Sequence, residues 1–315
     1  MTLDPSRTAF IFPGQGSQTV GMGRALAEAE AEAAAVFQQG DRILGLPLSR
    51  ICFEGPAVEL DQTDITQPAL FTHSTAVLRV LQKRLPELSP ACAAGHSLGQ
   101  FSALVAAGSL SFADGLRLVR ARGLAMKRAG EMSRGGMAAV LGLEVEAVEA
   151  ACRQAAESTG AVVQVANDNC PGQVVISGAE AGLAAAVPLL EQAGARKVVR
   201  LAVSIAAHSA LMQAAQEEFQ RALDAADLSA PRLPVWGNVS AAPLRTREQI
   251  HADVAAQLTS RVRWTETIRG LVTAGITNFI ELGPGDVLTG LLRRIERSAT
   301  GIPVGDPPGL ARLAG

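Results

Sequence analysis

Apolar positions follow two rhythms along the chain. Short apolar runs at 8–12, 91–94, 233–237 and 278–282 are bounded by glycine, proline or small polar residues and read as buried strands. Between them, helical spacing covers roughly 23–38, 67–81, 111–129, 210–226, 249–258 and 264–274, with a further helical start at Gln100. Strands alternating with helices predict a parallel sheet covered on both faces. Near residue 135 the rhythm changes. Strand 136–143, helix 144–156, strands 162–166 and 173–177, helix 180–193 and strand 197–203 give the order β-α-β-β-α-β within about 70 residues, the ferredoxin-like arrangement. Residues 134–203 are therefore expected to form a small inserted domain, and 1–133 with 204–315 a large α/β domain. The last dozen residues, rich in proline, read as a loose tail.

Composition narrows the classes. Of 315 residues 48% are hydrophobic and 18% charged, enough apolar material for a sizeable core. Lys plus Arg number 28 against 30 Asp plus Glu, a net charge of −2, which argues against a nucleic-acid footprint. Cys52, Cys92, Cys152 and Cys170 are scattered with no C-x-x-C pair, so neither a metal site nor a disulfide framework is expected. The first residues lack a signal-peptide pattern and no run is long enough for a bilayer, so a cytoplasmic protein without a membrane partner is expected. The chain has no tyrosine, which excludes tyrosine acid–base chemistry.

Gly95-His-Ser97-Leu-Gly99 lies between a predicted strand and a predicted helix, the setting of a nucleophile elbow. The glycines permit a close turn, and the serine projects above a helix N-terminus whose N–H groups can hold an oxyanion. An ordinary glycine-rich loop with an N-capping serine has the same sequence. A serine nucleophile needs a base. Of four histidines, His96 adjoins the serine and points away, His73 lies in an earlier helix, and His251 sits on a solvated flank of the 249–258 helix. His208 follows the small unit where the chain re-enters the main domain. It is the favoured base, against a structural loop histidine. Val119, Arg122 and Met126 share an apolar helix face, so Arg122 needs an anion, either an internal carboxylate or a substrate carboxylate. Pro13-Gly-Gln-Gly16 lacks the G-x-G-x-x-G spacing and suits a second backbone donor better than a dinucleotide site.

Together Phe12-Pro-Gly-Gln-Gly-Ser-Gln18, Gly95-His-Ser-Leu-Gly99, Arg122-Gly123, the 169–178 stretch Asn-Cys-Pro-Gly-Gln-Val-Val-Ile-Ser-Gly, His208-Ser-Ala-Leu-Met212 and Gly283-Pro-Gly-Asp-Val-Leu288 resemble the malonyl-CoA:acyl-carrier-protein transacylases of bacterial type II fatty-acid synthesis, in order and along nearly the whole chain. The resemblance implies an α/β-hydrolase-like large domain with a parallel sheet plus an inserted ferredoxin-like small domain. It implies Ser97 as nucleophile, His208 as base, Gln15 and Leu98 as oxyanion-hole N–H donors, and Arg122 as the clamp for the malonyl carboxylate. Asn169 would line the site near the histidine, and a backbone carbonyl at Gln257 would orient it. Two departures stand out: Gln100 where many members carry glutamate, and Ala206-Ala207 before the histidine, where smaller side chains could widen the acyl pocket. The implied activity moves malonyl from coenzyme A to the phosphopantetheine thiol of acyl carrier protein through a malonyl-serine. Coenzyme A thioester is then a substrate, no bound cofactor or metal is required, and a monomer is expected. A thioester hydrolase or a polyketide acyltransferase of the same fold, and a non-catalytic carrier-docking module, are the rival readings. Arg196, Lys197, Arg261 and Arg263 are docking candidates for an acidic carrier.

Overall fold

The computed structural model describes residues 3–203 and 205–314. Its strands are Thr8–Phe12 (β1), Cys92–Gly95 (β2), Gly135–Leu141 (β3), Val163–Cys170 (β4), Gln173–Ala179 (β5), Lys197–Arg200 (β6), Val235–Trp236 (β7), Pro243–Leu244 (β8), Val262–Arg263 (β9), Asn278–Leu282 (β10) and Thr300–Val304 (β11). The main sheet runs β11-β10-β1-β2-β7-β8, parallel except for β8. Alternation explains why it sits at the centre. Phe10, Phe12, Ala93 and Ile280 enter one apolar core, while Ala9, Ile11, Cys92, Ala94 and Phe279 enter another on the opposite face. A sheet apolar on both faces has to be covered twice.

The second sheet runs β6-β3-β5-β4-β9. Its first four strands are antiparallel neighbours, with the helices Val145–Thr159 and Glu180–Gln192 closing a separate core on one face. We propose 134–203 as the inserted unit, with β9 a strand lent by the main chain, because β9 pairs in parallel with β4 at Asn167 and Asp168.

Two elements differ from the sequence reading for clear physical reasons. The expected tail is ordered: β11 adds to the sheet edge beside β10, and Pro307–Ala314 is helical. Proline is tolerated on an edge strand and in the first turn of a helix, where the missing N–H has no partner to lose. The helix expected at 67–81 spans Thr63–Arg84 despite Pro68, and nearly all of it is buried. Pro68 cannot bond the Asp64 carbonyl, and the Arg120 guanidinium takes that carbonyl instead, also pairing with the Asp64 carboxylate at 2.9 Å. Arg120, on the helix that packs against this one, thus fills the bond that Pro68 cannot make.

The close packing at the sheet's centre predicts opposite outcomes for two glycines. A Cβ at Gly95 would fall 1.9 Å from the Gly99 carbonyl carbon, whereas at Gly290, on the exposed side of the helix Val287–Ile295, it would meet nothing within 4 Å. Urea unfolding should show Gly95→Ala destabilised by about 3 kcal/mol or more and Gly290→Ala stabilised by about 0.5–1 kcal/mol.

Candidate active site

The turn after β2 carries the serine. Gly99 lies so close to β1 that a Cβ there would stand 2.0 Å from the Phe12 carbonyl oxygen. This contact bends the chain sharply and drives Ser97 to φ 49°, a left-handed conformation unfavourable for a residue with a side chain. The side chain of Asn238, just past β7, secures the turn. Its Oδ1 accepts from the Ser97 N–H at 2.6 Å and its Nδ2 donates to the Gly95 carbonyl at 2.7 Å.

His208 reaches this turn from the segment after β6, itself at φ 59°. The Nε2 of His208 lies 2.8 Å from Ser97 Oγ. Its Nδ1 faces the carbonyls of Gln257 at 2.9 Å and Ser260 at 3.2 Å. Two acceptors on Nδ1 demand a proton there, which leaves Nε2 with a free lone pair toward the serine. Burial, reinforced by the Arg122 charge, pushes the imidazole down to about 3, so it is neutral and able to accept a proton near neutral pH.

Arg122, on the helix Phe112–Met132, is 1% exposed. Its contacts are all neutral: Gln67 Oε1 at 2.9 Å, Gln257 Oε1 at 2.8 Å and Ser97 Oγ at 3.1 Å, with the Phe101 ring 5.8 Å from the guanidinium carbon. Among the described residues no carboxylate pairs with it, Nε has no partner, and burial lowers the guanidinium to about 9. The internal-carboxylate reading of Arg122 is therefore not what the structure contains. Gln15 is exposed beside Gly14, which packs on His96, and its side-chain amide reaches Thr63 at 3.3 Å. Among the described residues the N–H groups of Gln15 and Leu98 donate to no acceptor. Asn169 is the residue left over where the β4–β5 register shifts between Asp168 and Cys170, and the bulge turns its Oδ1 to His96 Nε2 at 2.8 Å rather than to His208. Ala206 is fully buried against Gly135. A cleft of about 1050 Å³, lined by Gln15, Thr63, Lys127, Arg134, Val203 and Ile205 among others, opens beside the loop after β1. Arg261 and Arg263, read as docking candidates, are engaged by Glu149 and Glu266.

The family whose model carries the description "Acyl transferase domain" matches residues 9–307. A malonyl CoA-acyl carrier protein transacylase of Bacillus subtilis is 44% identical over 302 residues, 96% of this chain and 94% of that protein. The transacylase of Escherichia coli is 40% identical over 96% of this chain and 97% of its own length. Among solved structures, an acyl carrier protein S-malonyltransferase from Vibrio cholerae superposes with a TM-score of 0.94 at 41% identity, covering 98% of this chain and 99% of that one. A malonyl-transacylase in complex with its type II PKS acyl-carrier protein superposes at 0.93 and 38% identity, covering 98% of each chain. The chain belongs to the malonyl-CoA:acyl-carrier-protein transacylase family.

Four polar residues of this transacylase-family site were not singled out in the sequence as site residues: Gln67, Asn238 and Asp253, and Gln100 in any role beyond its departure from the family pattern. A signal existed for one. Asp253 shares a helix face with Ile250, Val254 and Gln257, a charge on an apolar stripe, just as Arg122 does.

Two buried histidines, His73 and His208, and the half-buried His96 give the transacylase a pH signature. Burial lowers His73 to about 4, lowers His96, and lowers His208 to about 3. Released on unfolding, each returns toward about 6.5. Below that pH the unfolded chain binds protons that the folded one refuses, so stability present above about 6.5 is lost as pH falls toward 4. Urea unfolding at pH 7.5, 6.0 and 5.0 should show a decline of up to about 1.4 kcal/mol per pH unit for each of His73 and His208. Equal stability at pH 7.5 and 5.0 would contradict these buried neutral states.

Proposed function

We propose that this protein transfers a malonyl group from coenzyme A to the phosphopantetheine thiol of acyl carrier protein through a malonyl-serine at Ser97. The single observation that carries this reading is Arg122: a buried guanidinium, without a carboxylate partner among the described residues, 3.1 Å from the serine hydroxyl. A malonyl carboxylate is separated from the attacked carbonyl by one methylene, so a guanidinium next to the nucleophile is where that carboxylate needs its partner.

His208 Nε2 takes the Ser97 proton as Oγ bonds to the thioester carbonyl carbon. The oxyanion falls to the free N–H groups of Gln15 and Leu98, the role assigned to them here. The carbon–sulfur bond breaks, and the departing coenzyme A thiolate takes the proton from His208. In the second half the carrier's thiol gives its proton to His208 and attacks the acyl-serine, and Ser97 Oγ leaves with that proton. The Gln257 carbonyl replaces the aspartate of a triad by fixing the tautomer of His208. The Asn169–His96 pair lines the turn from the other side. Residues of one chain supply every group named, so a monomer suffices. No helix among the described residues is long and apolar enough to cross a membrane, and the four cysteines are buried and free, which fits a cytoplasmic setting.

Mass spectrometry after mixing with malonyl-CoA should show one malonyl group on Ser97 and none on Ser97→Ala. Without a carrier protein, the acyl-enzyme should persist. Rapid release of free malonate would instead indicate a hydrolase. Arg122→Met keeps the bulk and removes the charge. Its kcat/KM for malonyl-CoA should fall about 100-fold or more, while that for acetyl-CoA changes less than about tenfold. Equal losses for both donors would remove Arg122 from its role.

A further inference from the structure

Behind the serine turn lies a set of polar side chains whose innermost member takes no part in the transfer steps. Its root is Asp253, on the helix Arg247–Ala256 and 5% exposed. This carboxylate accepts from Gln100 Nε2 at 2.9 Å, from the N–H groups of Asn238 and Ser240 at 2.9 Å each, and from Ser240 Oγ at 2.8 Å. The fit is tight, since a Cβ at Gly237 would sit 2.2 Å from Asp253 Oδ2.

Two of these donors lead directly to the reacting groups. Gln100 Oε1 accepts from Gln257 Nε2 at 2.6 Å. Gln257 then donates to the Ser97 carbonyl at 3.1 Å, accepts from Arg122 through Oε1, and receives His208 Nδ1 on its backbone carbonyl. Asn238 holds both sides of the serine turn, as described above.

A side-chain amide can present either end to a neighbour, so a chain of amides has no polarity of its own. An ionised carboxylate only accepts. It therefore turns the Gln100 NH₂ toward itself and the Gln100 oxygen toward Gln257. Gln257 must answer with its NH₂, which leaves its oxygen for Arg122. Reversing this order would set the Gln257 NH₂ against a guanidinium. The carboxylate also holds the backbone of Asn238, whose side chain restrains the left-handed Ser97.

We propose that Asp253 is a positioning residue of this enzyme, acting through Gln100 and Gln257 on Arg122 and His208, and through Asn238 on Ser97. The proposal rests on the malonyl-transfer reading. Apart from Asp253, the charged or titratable groups that this network meets are the Arg122 guanidinium and the His208 imidazole, both by way of Gln257.

The test uses the full-length protein and reads the rate of Ser97 malonylation by malonyl-CoA between pH 6 and 9, with melting temperature measured alongside. Gln100→Glu places a second carboxyl against Asp253. Two carboxyls in contact share one proton and lose it only well above the ordinary carboxylate range. The Gln100→Glu rate, relative to wild type, should therefore fall about tenfold or more from pH 6 to pH 9 as the pair ionises and pushes apart. Asp253→Asn turns an NH₂ toward existing donors and should lower the rate about 10- to 100-fold at all pH values, by slowing acylation more than by raising KM. In Gln100→Glu/Asp253→Asn the acceptor and donor ends are exchanged. The pH dependence should vanish, and at least tenfold of the loss should return. If Gln100→Glu does not fold, the Asp253→Asn rate and its partial recovery in the double variant decide the matter. Folded variants with the wild-type rate and profile would overturn the role of Asp253. A wild-type protein that forms no malonyl-serine would instead overturn the transfer reading beneath it.

Discussion

The site is organised around a buried positive charge that no carboxylate among the described residues neutralises. A guanidinium withdrawn from water is costly unless paired, and here its polar partners among the described residues are two glutamine oxygens and a serine hydroxyl, beside the face of a phenylalanine ring. The arrangement is tolerable because each glutamine is itself tied down, and it leaves a charge ready for an incoming carboxylate. The same charge acts on His208 and, together with burial, keeps the imidazole neutral. In the proposed reaction a single residue thus selects the acyl group and helps keep the base unprotonated.

Around this charge the backbone is strained in two places. Ser97 and His208 both take left-handed conformations. Such strain persists only where the surroundings over-determine it. For Ser97 the surroundings are glycine contacts with β1 on one side and the Asn238 amide on the other. For His208 they are the carbonyls of Gln257 and Ser260, together with Gln164, which donates to the His208 carbonyl at 3.3 Å. Gln164 lies on β4 and Gln257 follows the helix Arg247–Ala256, so the base is held from both elements at once.

Much of the architecture was legible because its patterns are local. Apolar runs of strand length, helical spacing between them and the shift of rhythm near residue 135 depend on nearest neighbours in the chain. The errors share one cause. Prolines at 303 and 307 are compatible with edge strands and helix starts, and Pro68 is accommodated by Arg120 from another helix. A local rule cannot register compensation that arrives from far away. The same distance hid Asn238 and Asp253. Asn238 meets Ser97 across 141 residues of chain, and Asp253 meets Gln100 across 153.

By itself the sequence determined the kinds of chemistry on offer: a serine on a glycine-bounded turn, few histidines, an arginine on an apolar face, and no tyrosine. Those follow from residue type and short-range spacing, where steric and solvation rules act directly. Only the tertiary structure decided what the arginine faces, which nitrogen of His208 carries the proton, and which carboxylate sets the direction of the amide chain. Each is a matter of distances of about 3 Å between groups brought together by packing, and hydrogen-bond polarity exists only once those groups are in contact.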